Sequence, residues 1–236
     1  MSFPSHAGPP QGASAPSGGS AGAPAPSVGA FLRMGTVYGT LLNFRGEVQA
    51  LAAQMNDPPY KAPPKAPILY VKTANTRSQD GAAIPVPANV PQVEVGATIA
   101  MVMKAPGELA GYVLMNDLSV PHASFFRPPV KSKCLDGFLG VGAQLLPAAP
   151  DVDPSTFRLE VRINGELRQT VEFSNMVRSA LDLFADVSEF MTLGAGDVLM
   201  LGCDIGRPLA KVGDTIEITA PGLGGKLTNT LVAETA

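Results

Sequence analysis

The spacing of apolar and polar residues changes period several times along this chain, and each change marks an element. From Thr36 the run Val37-Tyr38-Gly39-Thr40-Leu41-Leu42 has the composition of a strand, and residues 45–55 then predict a short helix. Residues 57–67 are rich in proline and predict a loop, because proline lacks the amide hydrogen that a helix interior or a central strand requires. Residues 68–71, 98–103 and 112–118 predict short buried strands. Phe157, Leu159, Val161 and Ile163 alternate with charged residues, Asn164-Gly165 supplies a two-residue turn, and Leu167, Val171 and Phe173 resume the alternation, which predicts a hairpin with one solvated face. Ser174 or Asn175 then offers an N-cap for a helix carrying Met176, Ala180, Leu183, Val187 and Phe190 on one face. Residues 197–201, 215–220 and 227–232 predict further strands, punctuated by Gly196, Gly202, Gly213 and Gly222. No internal repeat is present. The sum is an α+β, mainly β, single domain over residues 31–236, with helices packed on sheets.

Residues 1–30 consist mostly of Pro, Gly, Ala and Ser, bury too little apolar surface to offset their ordering entropy, and are expected to be a disordered tail. Within the 236 residues, 45% hydrophobic and 16% charged side chains are ordinary for a soluble globular protein. A formal net charge of −3 supplies no basic footprint, so nucleic acid is not an expected partner. No stretch has the length of a membrane span, the N-terminus lacks a basic start with an apolar run, and Cys134 and Cys203 have no paired metal spacing. A cytoplasmic setting without membrane partners is expected.

Chemistry concentrates in the block GYVLMNDLSVPHASFFRPPVKSKCLDGF, residues 111–138. Asp117 ends an apolar run, and Lys133 and Asp136 follow a proline-containing loop. That order of acid, loop and lysine suits an enolate or a carboxylate, whose developing charge a fixed ammonium stabilises.

This block, together with Leu42-Asn43-Phe44-Arg45, Tyr70-Val71-Lys72, Arg162-Ile-Asn-Gly-Glu166, Met191-Thr-Leu-Gly-Ala-Gly-Asp197, Gly213-Asp214 and Gly222-Leu-Gly-Gly-Lys-Leu-Thr-Asn229, resembles the fumarylacetoacetate hydrolase family from about Gly35 onward. The strings Pro59-Tyr-Lys-Ala-Pro-Pro-Lys65, Ser124-Phe-Phe-Arg-Pro128 and Lys131-Ser-Lys-Cys-Leu-Asp-Gly-Phe138 are similar to its isomerase/decarboxylase branch of 4-hydroxyphenylacetate degradation. The resemblance implies a mixed β-roll fold and chemistry on 5-carboxymethyl-2-hydroxymuconate or 5-oxopent-3-ene-1,2,5-tricarboxylate through an enolate. It also implies assembly as a homodimer or as a hetero-oligomer with a homologous second subunit. A catalytically degenerate structural subunit, and a hydrolase or hydratase of another diketo acid, are the alternative readings.

Family members bind magnesium or manganese through a Glu-x-Glu strand and a later Asp, since a hard cation wants several oxygen ligands. The resemblance places those two Glu positions on Gly96 and Thr98 and the Asp on Asp117, so no ion is expected on this chain alone. Where many members carry a His after the Asn-Tyr-Arg string, this chain has Glu47. The expected catalytic set is therefore Lys133 as enolate stabiliser, Asp117 or Glu47 as proton acceptor, and Asp136 orienting Lys133 or capping the next turn. Burial is expected to raise the proton affinity of Asp117. Arg45, Lys72 and Arg127 are expected to hold substrate carboxylates, with Lys61 and Lys65 nearby. His122 is expected to be an ordinary loop residue, and Cys203 a small unreactive hydrophobe.

Overall fold

A computed structural model describes residues 34–122, 130–221 and 225–235. The expected tail over residues 1–30, and Arg127, lie outside the described residues.

Two sheets face one another. The larger has seven strands in the spatial order β2 (Ile68–Lys72), β1 (Val37–Leu41), β11 (Val198–Met200), β6 (Ala97–Ala105), β7 (Glu108–Asp117), β8 (Leu139–Pro147) and β3 (Arg77–Gln79). The smaller has five, in the order β10 (Glu166–Glu172), β9 (Arg158–Ile163), β13 (Thr215–Ala220), β14 (Gly225–Ala233) and β4 (Ala83–Val86). Both are mixed: β1 with β11, β3 with β8, and β14 with β4 run parallel, and the other pairs are antiparallel. A two-stranded ribbon joins β5 (Val93–Glu94) to β12 (Leu209–Ala210). The helices are short: α1 (Arg45–Leu51), α2 (Val130–Lys133) and α3 (Ala180–Ser188).

Strand alternation divides the core. Ile99, Met101, Tyr112 and Leu114 on one face of β6 and β7 pack with Leu159, Val161, Ile216 and Ile218 of the smaller sheet. Ala100, Val113 and Met115 on the opposite face pack with Val37, Leu41, Tyr70 and Val198 in a second, smaller cluster. A side-chain period of two assigns Asp117 to the same face as Met115 and Val113, so the chemistry lies outside the inter-sheet core.

The expected hairpin forms: Asn164 and Gly165 both have positive φ, the geometry of a two-residue turn, and β9 pairs with β10. A register shift between Leu167 and Gln169 interrupts the alternation, which leaves Leu167 exposed, while Val171 and Phe173 stay buried. Two helix expectations change. Residues 45–55 are helical only through Leu51, as turns follow. The later helix starts at Ala180, with Ser179 accepting from the Asp182 amide, rather than after Ser174 or Asn175. Asn43 is the physical cause: its carbonyl accepts from Val177 N at 2.8 Å and its Oδ1 from Arg178 N at 3.0 Å, while Phe44 bridges Met176, so these residues stay non-helical. Because α3 ends at Ser188, Phe190 is exposed instead of sharing its apolar face. Among the described residues, no helix is long and apolar enough to cross a membrane.

Candidate active site

Tyr70, Lys72, Asp117 and Lys133 meet where β2, the end of β7 and α2 converge. Lys133 Nζ lies 2.7 Å from Asp117 Oδ2, and Lys72 Nζ lies 2.9 Å from Asp117 Oδ1, with all three side chains essentially inaccessible to solvent. The Tyr70 hydroxyl donates to Asp117 Oδ2, and the Lys133 ammonium sits 4.9 Å from the centroid of the Tyr70 ring. Backbone geometry makes this approach possible at two glycines. A Cβ on Gly39, paired with Tyr70 across β1 and β2, would lie 2.0 Å from Tyr70 Cζ. A Cβ on Gly96 would lie 2.4 Å from the Asp117 carbonyl oxygen, and Asp117 N donates to Gly96 O at 2.8 Å.

Burial alone would raise the proton affinity of Asp117, as the sequence reading expected. The charges of Lys133 and Lys72, with hydrogen bonds from Lys133 and Tyr70, outweigh it and hold the carboxyl well below the usual range. Asp117 is thus a locked anion, poorly suited to accepting a proton. Burial and the nearby Asp117 charge raise the Tyr70 phenol well above its ordinary value, keeping it a donor.

Lys72 departs from its expected role. Its ammonium also donates to the carbonyls of Leu118 at 3.2 Å, Phe138 at 2.8 Å and Lys133, so it knits three backbone segments together internally. Burial, reinforced by the Lys133 charge and opposed by Asp117, lowers its proton affinity. Arg45 is exposed and donates to the Ser174 carbonyl at 2.8 Å. Asp136 accepts from Asn75 Nδ2 at 2.6 Å rather than orienting Lys133, whose carboxylate partner is Asp117. Lys61 and Lys65 are exposed. His122 is partly buried, with Nδ1 3.0 Å from the Val120 carbonyl oxygen. Cys203 is buried, and burial with the Asp117 charge pushes its thiol up to about 12, in line with an inert small side chain.

A second charged group adjoins the first. Glu47, in the first turn of α1, is only 5% exposed as a side chain; Oε2 accepts from Leu42 N at 3.1 Å and Oε1 accepts from Arg207. Leu42 has φ 59°, a left-handed conformation that costs a non-glycine residue about 1–2 kcal/mol and here aims its amide at Glu47. Burial raises the Glu47 carboxyl, and Arg207, the Leu42 amide and Lys133 limit the rise. The other arm of Arg207 lies 3.4 Å from Glu94 Oε2. Glu94, His122, Ile205, Gly206 and Arg207 line a cavity of about 230 Å³ beside this cluster.

Tyr70 and Arg207 are the participants that the sequence reading did not single out. Tyr70 precedes Lys72 by two residues in the string Tyr70-Val71-Lys72, and its partner is 47 residues away. Arg207 lies in the irregular segment before β12, with no periodic pattern, 160 and 113 residues from Glu47 and Glu94. No local signal could have found it.

The residues present do not fit the magnesium-type ion that the family resemblance implies. Gly96 offers no side-chain ligand and its carbonyl accepts from Asp117 N, the Thr98 hydroxyl donates to the Gly202 carbonyl at 2.5 Å, both Asp117 oxygens face ammonium groups, and Glu94 turns to Arg207. A divalent cation there would meet two fixed positive charges and one carboxylate.

Comparison with known proteins agrees with the architecture. The chain is 38% identical over 210 residues to the 4-hydroxyphenylacetate degradation bifunctional isomerase/decarboxylase of Salmonella dublin, covering 85% of this chain and 48% of that protein. It is 35% identical over 198 residues to the homoprotocatechuate catabolism bifunctional isomerase/decarboxylase of Escherichia coli, covering 80% and 45%. The chain therefore spans about half the length of these curated relatives. The crystal structure of 5-carboxymethyl-2-hydroxymuconate delta-isomerase from Mycobacterium smegmatis superposes with a TM-score of 0.72 at 25% identity, covering 89% of this chain and 79% of that one. The sequence profile described as fumarylacetoacetate (FAA) hydrolase C-terminal matches residues 36–232, and with this coverage the chain belongs to the fumarylacetoacetate hydrolase family.

Proposed function

We propose that this chain is an isomerase subunit of aromatic catabolism that relocates a proton along a conjugated, multiply carboxylated oxo acid, with 5-carboxymethyl-2-hydroxymuconate as the substrate. The observation that carries the reading is the division of labour between two buried carboxylates. Asp117 is held as an anion by Lys133 and Lys72, whereas Glu47 has its proton affinity raised by burial and bonds Arg207, which lines a cavity. Carboxyl groups pushed in opposite directions are what separate a charge-holding role from a proton-carrying one. Glu47 takes a proton from one end of the dienol system and returns it to the other, leaving the net composition of the substrate unchanged. Lys133 stabilises the dienolate in between with an ammonium that Asp117 and the Tyr70 ring keep in place. Arg127, outside the described residues, remains a proposed carboxylate contact.

Isomerisation is preferred over decarboxylation because losing carbon dioxide gains most from a chelated Lewis acid, for which the donors near Asp117 are unsuited. Catalysis without a resident divalent ion is part of the proposal. The purified chain should isomerise the hydroxymuconate in the presence of a chelator, and Glu47→Gln should lower kcat by about 100-fold or more, the usual scale of general-base catalysis. Activity that appears only with added magnesium or manganese would overturn this reading.

A second reading has its own support. Because the chain matches about half of each bifunctional relative, it would pair with a homologous chain bearing the missing carboxylates. Turnover only from a mixture of the two chains would establish it.

A further inference from the structure

We propose that Arg207 is the positioning residue of this site: its two guanidinium arms, one on Glu47 and one on Glu94, aim the Glu47 carboxylate and govern when it carries a proton. The inference rests on Glu47 being the proton carrier, and it adds a residue to which neither the family resemblance nor the comparisons assign a role.

The geometry is that of a bridge. Arg207 Nη2 donates to Glu47 Oε1, Nη1 lies 3.4 Å from Glu94 Oε2, and Nε donates to the Asp204 carbonyl at 3.3 Å. The Arg207 side chain is 12% exposed and its guanidinium lies between acids from two separate elements, α1 and β5. A planar fork held at three points has little freedom to rotate, so the carboxylate at its end is oriented as well. On its other oxygen Glu47 is held by the Leu42 amide, which leaves the carboxylate pinned from both sides.

The remaining charged neighbours do not substitute for Arg207. Lys133 acts on Glu47 through space and is itself bonded to Asp117. Asp204 Oδ1 accepts from Ile205 N beside Gly46, Cys203 is a neutral thiol, and Arg45 on the same helix turns to Ser174. His122 lines the adjoining cavity. Among the described residues, Arg207 is the cation in direct contact with Glu47, and Glu94 is its competing anion.

A bridge of this kind makes a sign-crossed expectation. Arg207→Gln removes the stabilising cation and should move the Glu47 titration up. Glu94→Gln removes a repelling anion and frees the guanidinium for Glu47, which should move it down. An opposite charge within about 4–6 Å depresses a carboxyl by about 1–3 pH units, which sets the scale for Arg207→Gln. Arg207→Lys keeps the charge but not the fork, and should fall between wild type and Arg207→Gln.

The test follows the Glu47 side-chain carboxyl carbon by NMR across a pH titration of the full chain, alongside the acid limb of kcat/KM on the hydroxymuconate. Opposite shifts in the two Gln variants, matched by the acid limb, support the proposal. A Glu47 midpoint unmoved by Arg207→Gln, or moved the same way by both variants, overturns it. Should Arg207→Gln not fold, the Arg207→Lys and Glu94→Gln pair carries the same sign test. Crossed shifts without any turnover of the hydroxymuconate would support the Arg207 bridge while overturning the functional reading, so the two failures remain distinguishable.

Discussion

At the scale of single residues, the decisive fact is that one carboxylate balances two buried ammonium groups. Removing one member of such a set leaves uncompensated charge in a low-dielectric setting, which typically costs about 3–5 kcal/mol. Asp117→Asn, which strands both Lys72 and Lys133, is therefore expected to lose stability on that scale by denaturant titration. Adding Lys133→Met should return part of it, and the double-mutant cycle measures the coupling. The pH dependence has a definite sign. The folded Asp117 binds its proton less readily than the unfolded chain does, so its contribution is complete above about pH 4 and declines as pH falls below that. Glu47 works in the opposite direction: its affinity is raised on folding, so its contribution is complete below about pH 4.3 and is lost as pH rises through its folded titration.

At the scale of elements, what could be read from the chain depended on whether the deciding contacts were local. The hairpin turn at Asn164-Gly165 was legible because two adjacent positive-φ residues specify it without help from elsewhere. The start of α3 was not, because Ser174, Asn175 and Ser179 are all acceptable caps, and the choice is made by Asn43, more than 130 residues away in sequence. Ser179, the cap observed, and Ser174, the cap expected, can be separated by mutation. Ser179→Ala should cost about 1 kcal/mol, since Ser179 Oγ accepts from Asp182 N at 3.1 Å. Ser174→Ala should cost much less, because Ser174 contributes its backbone carbonyl to Arg45 and that carbonyl survives the substitution. Thermal unfolding of the two variants checks the difference. The same locality explains the site: Asp117 and Lys133 stand within one recognisable block, whereas the placement of Tyr70, the internal duty of Lys72 and the whole Arg207 bridge arise from pairings across sheets and loops.

At the scale of the whole molecule, the larger sheet separates stability from chemistry. Its inner face meets the smaller sheet through Ile99, Tyr112 and Leu114, and its outer face carries Met115, Tyr70 and the carboxylate of Asp117. Leu159 belongs wholly to the inner region: it is fully buried on β9, paired in register with Val171 of β10, and has no part in the charged cluster. Leu159→Ala should open a cavity there and cost about 2–5 kcal/mol. If the sheet is the divider its layers suggest, that loss should leave kcat and the Glu47 titration unchanged below the unfolding range, because distant sites without shared partners act independently. Denaturant unfolding measured beside pH-rate profiles checks this. A shifted Glu47 midpoint in Leu159→Ala would mean that packing between the sheets helps set the geometry at Asp117 and Glu47, and the two faces of the sheet would then have to be treated as one coupled unit.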